Sequence, residues 1–529
     1  MTRLLSVLLA AVAGPAIAAT PVDVVIRGGT IYSGADAAPI TGDVEIAGDR
    51  IVYVGPARRT AAARVIDARG QIVAPGFIDA HTHPDSYIRS PDRTARLNLP
   101  WLAQGVSTIV AGVDGGGTPD VADDARALAA AGIGTNVVPF VGFGAVRARV
   151  LGQDDRAPTP TELAREQALV AKGMCEGATG LSTGLFYAPQ SFATTDEVVA
   201  VAREAGRRGG MYDTHQRDES NYTIGLLAST REAIEIGRRA GMPVHVAHLK
   251  ALGVDLQGQA PQLIATIAAA RAAGQDVTAD QYPWLASGSS VDAALLPRWA
   301  SDGGYAKLRA RLADQPTLAR IRAEMTENLR RRGGQESILL TSEGQPWTGR
   351  TLGQMATTWK LSPVDAAIRI LQTPDAAGTG PAGVGIASFN MADRDVDLIM
   401  RQPWVVTSSD GSDGHPRQYA TFPRKYQTYV RERKVISMRD FIRRSTGLTA
   451  DLYRIADRGY LKAGKFADVV VFDPVAYAPR ADYVHPRVPS AGVRALLVNG
   501  RVALADGKPT GVAVGRVLLR PKPAGCPAT

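Results

Sequence analysis

The chain has 529 residues, 45% of them hydrophobic and 21% charged, a globular balance that excludes a disordered or fibrous protein. A net charge of +9 without a dense Lys/Arg tract interleaved with aromatics gives no sign of a nucleic-acid partner. Two cysteines exclude a disulfide scaffold and a Cys-rich zinc module, and Cys175 reads as a small buried residue, the commoner role of a free cysteine.

In chain order, residues 1–18 read as a secretory signal peptide. Arg3 supplies the positive start, Leu4 to Ala13 is apolar except for Ser6, Gly14-Pro15 breaks the run, and Ala16-Ile17-Ala18 fits a small-residue cleavage site. The run is shorter than the roughly 20 residues a membrane span needs, and no Cys follows the cleavage site. The expected protein is periplasmic or secreted, with no membrane anchor. Residues 19–75 look like short strands, with a hairpin signal at Ala47-Gly48-Asp49, and residues 455–529 share that character through Val469 to Phe472 and an Asn499-Gly500 turn. The two ends are expected to form one small β domain. Between them, over 76–454, strands such as Ser107 to Val110, Asn136 to Phe140 and Pro243 to Val246 alternate with helical stretches such as Thr230 to Ala240. That alternation implies an α/β fold with a parallel sheet, and its length suits a (β/α)₈ TIM-like barrel. Residues 291–345 interrupt it and read as an insertion over the barrel mouth. Their arginines, from Arg309 to Arg332, read as a solvated face.

Barrel chemistry collects just past strand ends, and five segments stand out there. Pro75 to His83 is an apolar strand ending in His81-Thr82-His83, which places two imidazoles on one face. Two imidazoles so placed, among only seven histidines, suit a divalent metal. Asp114 ends a strand and enters a glycine loop. His215 closes the stretch Gly210 to His215. In Val244 to Lys250, parity puts Val244, Val246, His248 and Lys250 on one face and His245 on the other, so His248 reads as a ligand and His245 as a structural residue packed toward a helix. Lys250 is placed to meet an anionic substrate. A late apolar strand delivers Asp410, a carboxylate suited to proton transfer, while Asp413 fits a turn.

Together these segments resemble the amidohydrolase superfamily, and within it the N-acyl-D-amino-acid deacylase family. The resemblance runs from about residue 22 to the C-terminus. It rests on PGFIDAHTH at 75–83, EGATGLSTGLFYAP at 176–189, DTHQRDE at 213–219, AHLK at 247–250, DQYP at 280–283, SSDG at 408–411, HPR at 415–417 and GKFADVVVFDP at 464–474. It implies a metal-dependent barrel with a β-sandwich built from both chain ends. It also implies one or two zinc ions, or another divalent metal, held by His81 and His83 at a first site and by His215 and His248 at a second. Asp410 is implied as catalytic base and then acid, Tyr187 as the hydroxyl that polarises the carbonyl, and Lys250, Tyr282 and Arg417 as binders of the substrate carboxylate, with Ser287 or Ser289 beside them. The chain departs from the family where Gly112-Val113-Asp114-Gly115 stands in place of a Gly-Asn-Cys-Gly loop. Asp114 can still bridge two cations through its two oxygens, and as a harder ligand than thiolate it softens zinc preference. A carboxylated-lysine bridge is not expected, because Lys172 falls in a predicted helix. The implied activity is hydrolysis of the amide bond of N-acyl-D-amino acids, small molecules that yield a carboxylate and a D-amino acid. A dipeptidase for peptides ending in a D-residue, a cyclic-amide hydrolase and a non-catalytic exported binding protein are the rival readings.

Overall fold

The computed structural model describes residues 22–375, 377, 378 and 380–527; the signal-like segment 1–18 lies outside them. Both chain ends enter one nine-stranded sheet. The junction is the antiparallel pairing of Ile72–Pro75 with Val469–Phe472, in which Val469 faces Pro75. Alternate residues of these strands, among them Ile26, Val44, Val469, Val471 and Leu497, form a buried cluster of their own. The Asn499-Gly500 turn forms as its sequence requires: both residues have positive φ, 50° and 77°, the conformation of a type I′ hairpin turn.

The middle of the chain forms two runs of parallel strands. The first joins Phe77–Asp79, Val106–Ala111 and Asn136–Pro139. The second joins Val141–Gly142, Gly180–Gly184, Met211–His215, Val244–Val246, Val277–Gln281 and Val405–Thr407. At one seam Phe140 N donates to Ala111 O (3.2 Å), and at the other Ala80 N donates to Thr407 O (3.3 Å). Helices cover the outside. Val244 and Val246 pack with Val198, Ile236 and Leu263 of those helices, whereas Ala80, Val110, Val138, Met211 and Val406 pack with Tyr453 in a separate interior cluster.

Between Val277–Gln281 and Val405–Thr407 the chain leaves this pattern. Strands Ala286–Ser290, Gly385–Phe389 and Ile338–Leu340 make an antiparallel sheet, and the helices between them carry their own core around Leu295, Ile321, Met325 and Ile370. This excursion is wider than the 291–345 segment marked in the sequence, because residues beyond 345 return to pair with its first strand. Most of its arginines face solvent, but Arg332 is 1% exposed and does not belong to a solvated face.

Cys175 corrects a second expectation. It is not a free thiol; it is bonded to Cys526, 351 residues away, with the two Cα atoms 5.6 Å apart. The C-terminal tail runs back along the parallel strands and their helices, Arg520 N donating to Gly177 O (2.9 Å), and so brings the second cysteine alongside.

Candidate metal centre

The side chains singled out in the sequence converge at the C-terminal ends of the parallel strands. Asp79, His81 and His83 alternate out of Phe77–Asp79, and the loop after them is laced to the loop after Val405–Thr407: Asp410 N donates to His81 O, and His83 N to Gly411 O, each at 2.9 Å. Asp79 ties the same loops together, accepting from Ser409 N (2.8 Å) and Trp101 Nε1 (2.9 Å). Asp114, His248 and Asp410 all have left-handed backbones, with φ of 52°, 35° and 47°. Non-glycine residues keep that conformation only where their surroundings over-determine it, and such residues cluster at functional sites.

Asp114 sits at the middle. Its Oδ1 lies 3.3 Å from His81 Nε2 and 3.6 Å from His248 Nε2, and its Oδ2 lies 3.5 Å from His83 Nε2 and 3.7 Å from His215 Nδ1. Asp410 Oδ1 closes the first side, 3.2 Å from His83 Nε2. Among the described residues, three donor sets have atoms within 4.8 Å of one another: His81, His83 and Asp410; His81, Asp114 and His248; and His215, Glu219 and His248. Both ring nitrogens of His81 and of His215, and Oδ1 of Asp114, are buried without a hydrogen-bond partner. Burying polar atoms unsatisfied is costly, and a divalent cation would satisfy them. The electrostatics agree. Burial pushes the His81 imidazole down, but the Asp114 charge outweighs it and holds the ring up at about 9. Burial pushes Asp114 up, but His81 and the other imidazoles outweigh it and hold the carboxyl well below its usual range. The donor set therefore fits one or two divalent ions, with the Asp114 carboxylate able to face both.

Glu219 belongs to this centre and was missed in the sequence, although it lies inside the Asp213 to Glu219 motif. It follows His215 by four residues, and its carboxylate reaches His215 Nε2 (3.5 Å), His248 Nδ1 (3.1 Å) and Lys250 Nζ (2.6 Å). Lys250 is thus engaged with Glu219 rather than free. The other expected substrate binders gather around the Tyr282 ring, with Lys250 Nζ 5.6 Å and Arg417 Cζ 5.1 Å from its centre. The Tyr282 hydroxyl is buried and unpartnered. Arg417 Nη1 lies 2.7 Å from Asp410 Oδ2, a contact that seven residues of separation did not announce. Tyr187 packs against His215, ring centres 4.8 Å apart. Ser287 donates nothing to this group: its hydroxyl accepts from Arg332 Nη1 (3.2 Å), while Ser289 Oγ is buried and unpartnered.

His245 departs from its reading. Its strand neighbours Val244 and Val246 face the helices, so His245 lies on the opposite face of the sheet, level with Asp213 and Thr278, and its Nε2 pairs with Asp280 Oδ2 at 2.9 Å. The parity argument failed because the strand ends at Val246. His248 reaches the centre through the left-handed turn that follows, not by sharing a face with Val246.

The amidohydrolase family model matches residues 64–504. A D-aminoacylase from Alcaligenes xylosoxydans xylosoxydans is 33% identical over 94% of this chain and 98% of its own. A solved D-aminoacylase with a binuclear metal centre superposes with a TM-score of 0.79 at 30% identity, covering 94% of this chain and all of that one. An N-acyl-D-glutamate deacylase from Bordetella bronchiseptica, solved with zinc and a phosphonate inhibitor, gives 0.78 at 29% identity with the same coverage.

Proposed function

The chain belongs to the amidohydrolase family, and from that premise we propose that it is a metal-dependent hydrolase of the amide bond of N-acyl-D-amino acids. The named activities of its relatives and the donor set at Asp114 support this reading. His81, His83, Asp114, His215 and His248 would hold the metal, zinc or another divalent ion; when bound it supplies Lewis-acid polarisation and a more acidic water. Asp410 takes a proton from the attacking water through Oδ1 and returns it to the leaving nitrogen. Tyr187 donates its hydroxyl hydrogen to the carbonyl oxygen as negative charge develops there. Arg417, the Tyr282 hydroxyl and Lys250 orient the substrate carboxylate, Arg417 by its planar fork and Lys250 as a point charge.

One observation carries the reading: Arg417 touches the Asp410 carboxylate and overhangs Tyr282. The donors for an anion are therefore built directly against the proposed base, so an acid bound there presents its neighbouring amide to Asp410. The two parallel runs, joined at both seams and with Asn136–Pro139 and Val141–Gly142 counting as one strand broken at Phe140, support a closed eight-stranded barrel spanning 76–454. The nine-stranded sheet supports a β-sandwich made of 19–75 and 455–529. Export to an oxidising compartment fits the signal-like start and the disulfide. Zinc-loaded protein assayed on acyl-D-amino acids, acyl-L-amino acids, D-terminal dipeptides and cyclic amides tests the activity. Turnover confined to the acyl-D-amino acids is expected, and turnover confined to cyclic amides overturns the assignment.

A further inference from the structure

A fully buried carboxylate lies beneath the centre, and neither the proposed proton transfers nor the anion seat employs it. Asp280, at 0% exposure, stands in Val277–Gln281, and its two oxygens serve different partners. Oδ1 accepts from the backbone N of His248 at 2.9 Å. Oδ2 pairs with His245 Nε2 at 2.9 Å, and the far nitrogen of that ring, Nδ1, pairs with Thr278 Oγ1 at 2.8 Å. The main chain of Asp280 grips the same stretch, its carbonyl accepting from Leu249 N at 2.8 Å. The stretch so held needs holding. His248 is left-handed at φ 35°, a conformation in which a side chain crowds the neighbouring carbonyl. Its own ring cannot anchor the backbone, because both ring nitrogens are turned to Asp114, Glu219 and Lys250.

The geometry points to Asp280 as a positioning residue: with His245 fixing its second oxygen, it clamps the left-handed backbone of His248 and so aims that imidazole at Asp114. The clamp rests on His248 being a metal ligand and not on the identity of the substrate. It also accounts for His245, an inward histidine that is too far down the strand to join the donor set. The arrangement has the logic of an outer-shell partner, except that it acts on the ligand's backbone rather than on its ring.

Cobalt(II) titration of the chelator-stripped full-length protein tests this, read by competition with a chromophoric chelator and by the visible absorption of the bound ion. Asp280→Ala removes the acceptor for His248 N, and cobalt affinity is expected to fall about 10–100-fold with a changed absorption band, the usual scale for losing such a partner. Asp280→Asn keeps an oxygen for His248 N and is expected to rescue most of the affinity. His245→Phe keeps the ring and frees Oδ2, with an expected loss of about tenfold. A structural role alone would lower the melting temperature of the metal-free protein while leaving cobalt affinity and spectrum unchanged, and that result in Asp280→Ala overturns the proposal. Should Asp280→Ala not fold, His245→Phe decides: wild-type cobalt binding in it overturns the clamp. Because the readout uses no substrate, a failed deacylase assay and a failed clamp are distinguishable.

Discussion

Asp410 has its two oxygens divided between partners, one toward His83 and one toward Arg417. Replacing it by Asn preserves the shape but leaves nothing that accepts a proton at working pH. Asp410→Asn is therefore expected to fold and to keep its metal by atomic emission, while kcat falls by about 10²–10⁴-fold; near-normal turnover would remove Asp410 from the chemistry. The contact with Arg417 changes how the anion seat must be tested. Arg417→Met disturbs Asp410 as well as the substrate carboxylate, so it lowers turnover on acids and on their uncharged amides alike. Tyr282 is the cleaner probe, since its hydroxyl is buried and has no partner. Tyr282→Phe is expected to reduce kcat/KM for acyl-D-amino acids about 10–100-fold, the worth of one hydrogen bond to a charged group, and to leave the matching amides nearly unchanged. Equal loss on both would place Tyr282 outside the anion seat. The residues of this centre were legible because His81-Thr82-His83, His215, His248 and Asp410 each stand at a strand end in a chain with few histidines. Glu219 and the Asp410–Arg417 contact were not, because each depends on how a loop folds back, which no periodicity records.

Elements were legible in kind and misjudged in detail where a strand stops. The alternation of apolar strands with Ala- and Glu-rich helices predicted the parallel runs. His245 was turned the wrong way because parity was carried past Val246, where the strand has already ended. A further feature becomes visible only when helices pack. Phe143–Leu151, Pro160–Cys175 and Thr195–Gly206 meet around Arg147, which pairs with one glutamate and leaves a second without a partner. Glu197 takes its Nε at 2.9 Å. Glu166 is 0% exposed with both oxygens unpartnered, and burial, reinforced by the Glu197 charge, raises it to about 7. Its pKa is thus higher folded than unfolded, where a glutamate titrates near 4.3. Between those values the folded state binds the extra proton, so stability is fully present below the unfolded value and falls as pH rises through about 7. Glu166→Gln removes the titration. The variant is expected to melt with wild type near pH 4 and above it at pH 8, by up to about 4 kcal/mol at 1.36 kcal/mol per pH unit. A gap that stays constant from pH 4 to pH 8 would show that Glu166 is not the titrating group.

At the scale of the whole molecule, the two chain ends do more than share a sheet. After the last strand the tail turns back along Asn136–Pro139: Gly515 N donates to Ile133 O (2.8 Å), Val137 N to Arg516 O (2.9 Å) and Leu518 N to Val137 O (2.8 Å). Beyond Arg520 it is bonded through Cys526 to Cys175. That the ends meet was legible from their shared strand character. The bond was not, because two cysteines 351 residues apart carry no spacing signal. Its attachment lies at the entry side of Gly180–Gly184, whereas the candidate metal ligands follow the exit ends of the strands. The disulfide is therefore expected to act on stability and not on catalysis. Closing so long a loop restricts the unfolded chain by about 6 kcal/mol in the chain-entropy account, and with about 2.1 cal/mol/K of unfolding entropy per residue that is a melting-temperature change of about 5 °C. Thiol titration should find no free thiol in the native protein and two after reduction. The reduced protein and a Cys175→Ser, Cys526→Ser double variant should melt about 5 °C lower, by the same arithmetic, with unaltered kcat at 25 °C. Loss of turnover in the double variant at a temperature where it remains folded would show that the tail tether reaches the centre after all.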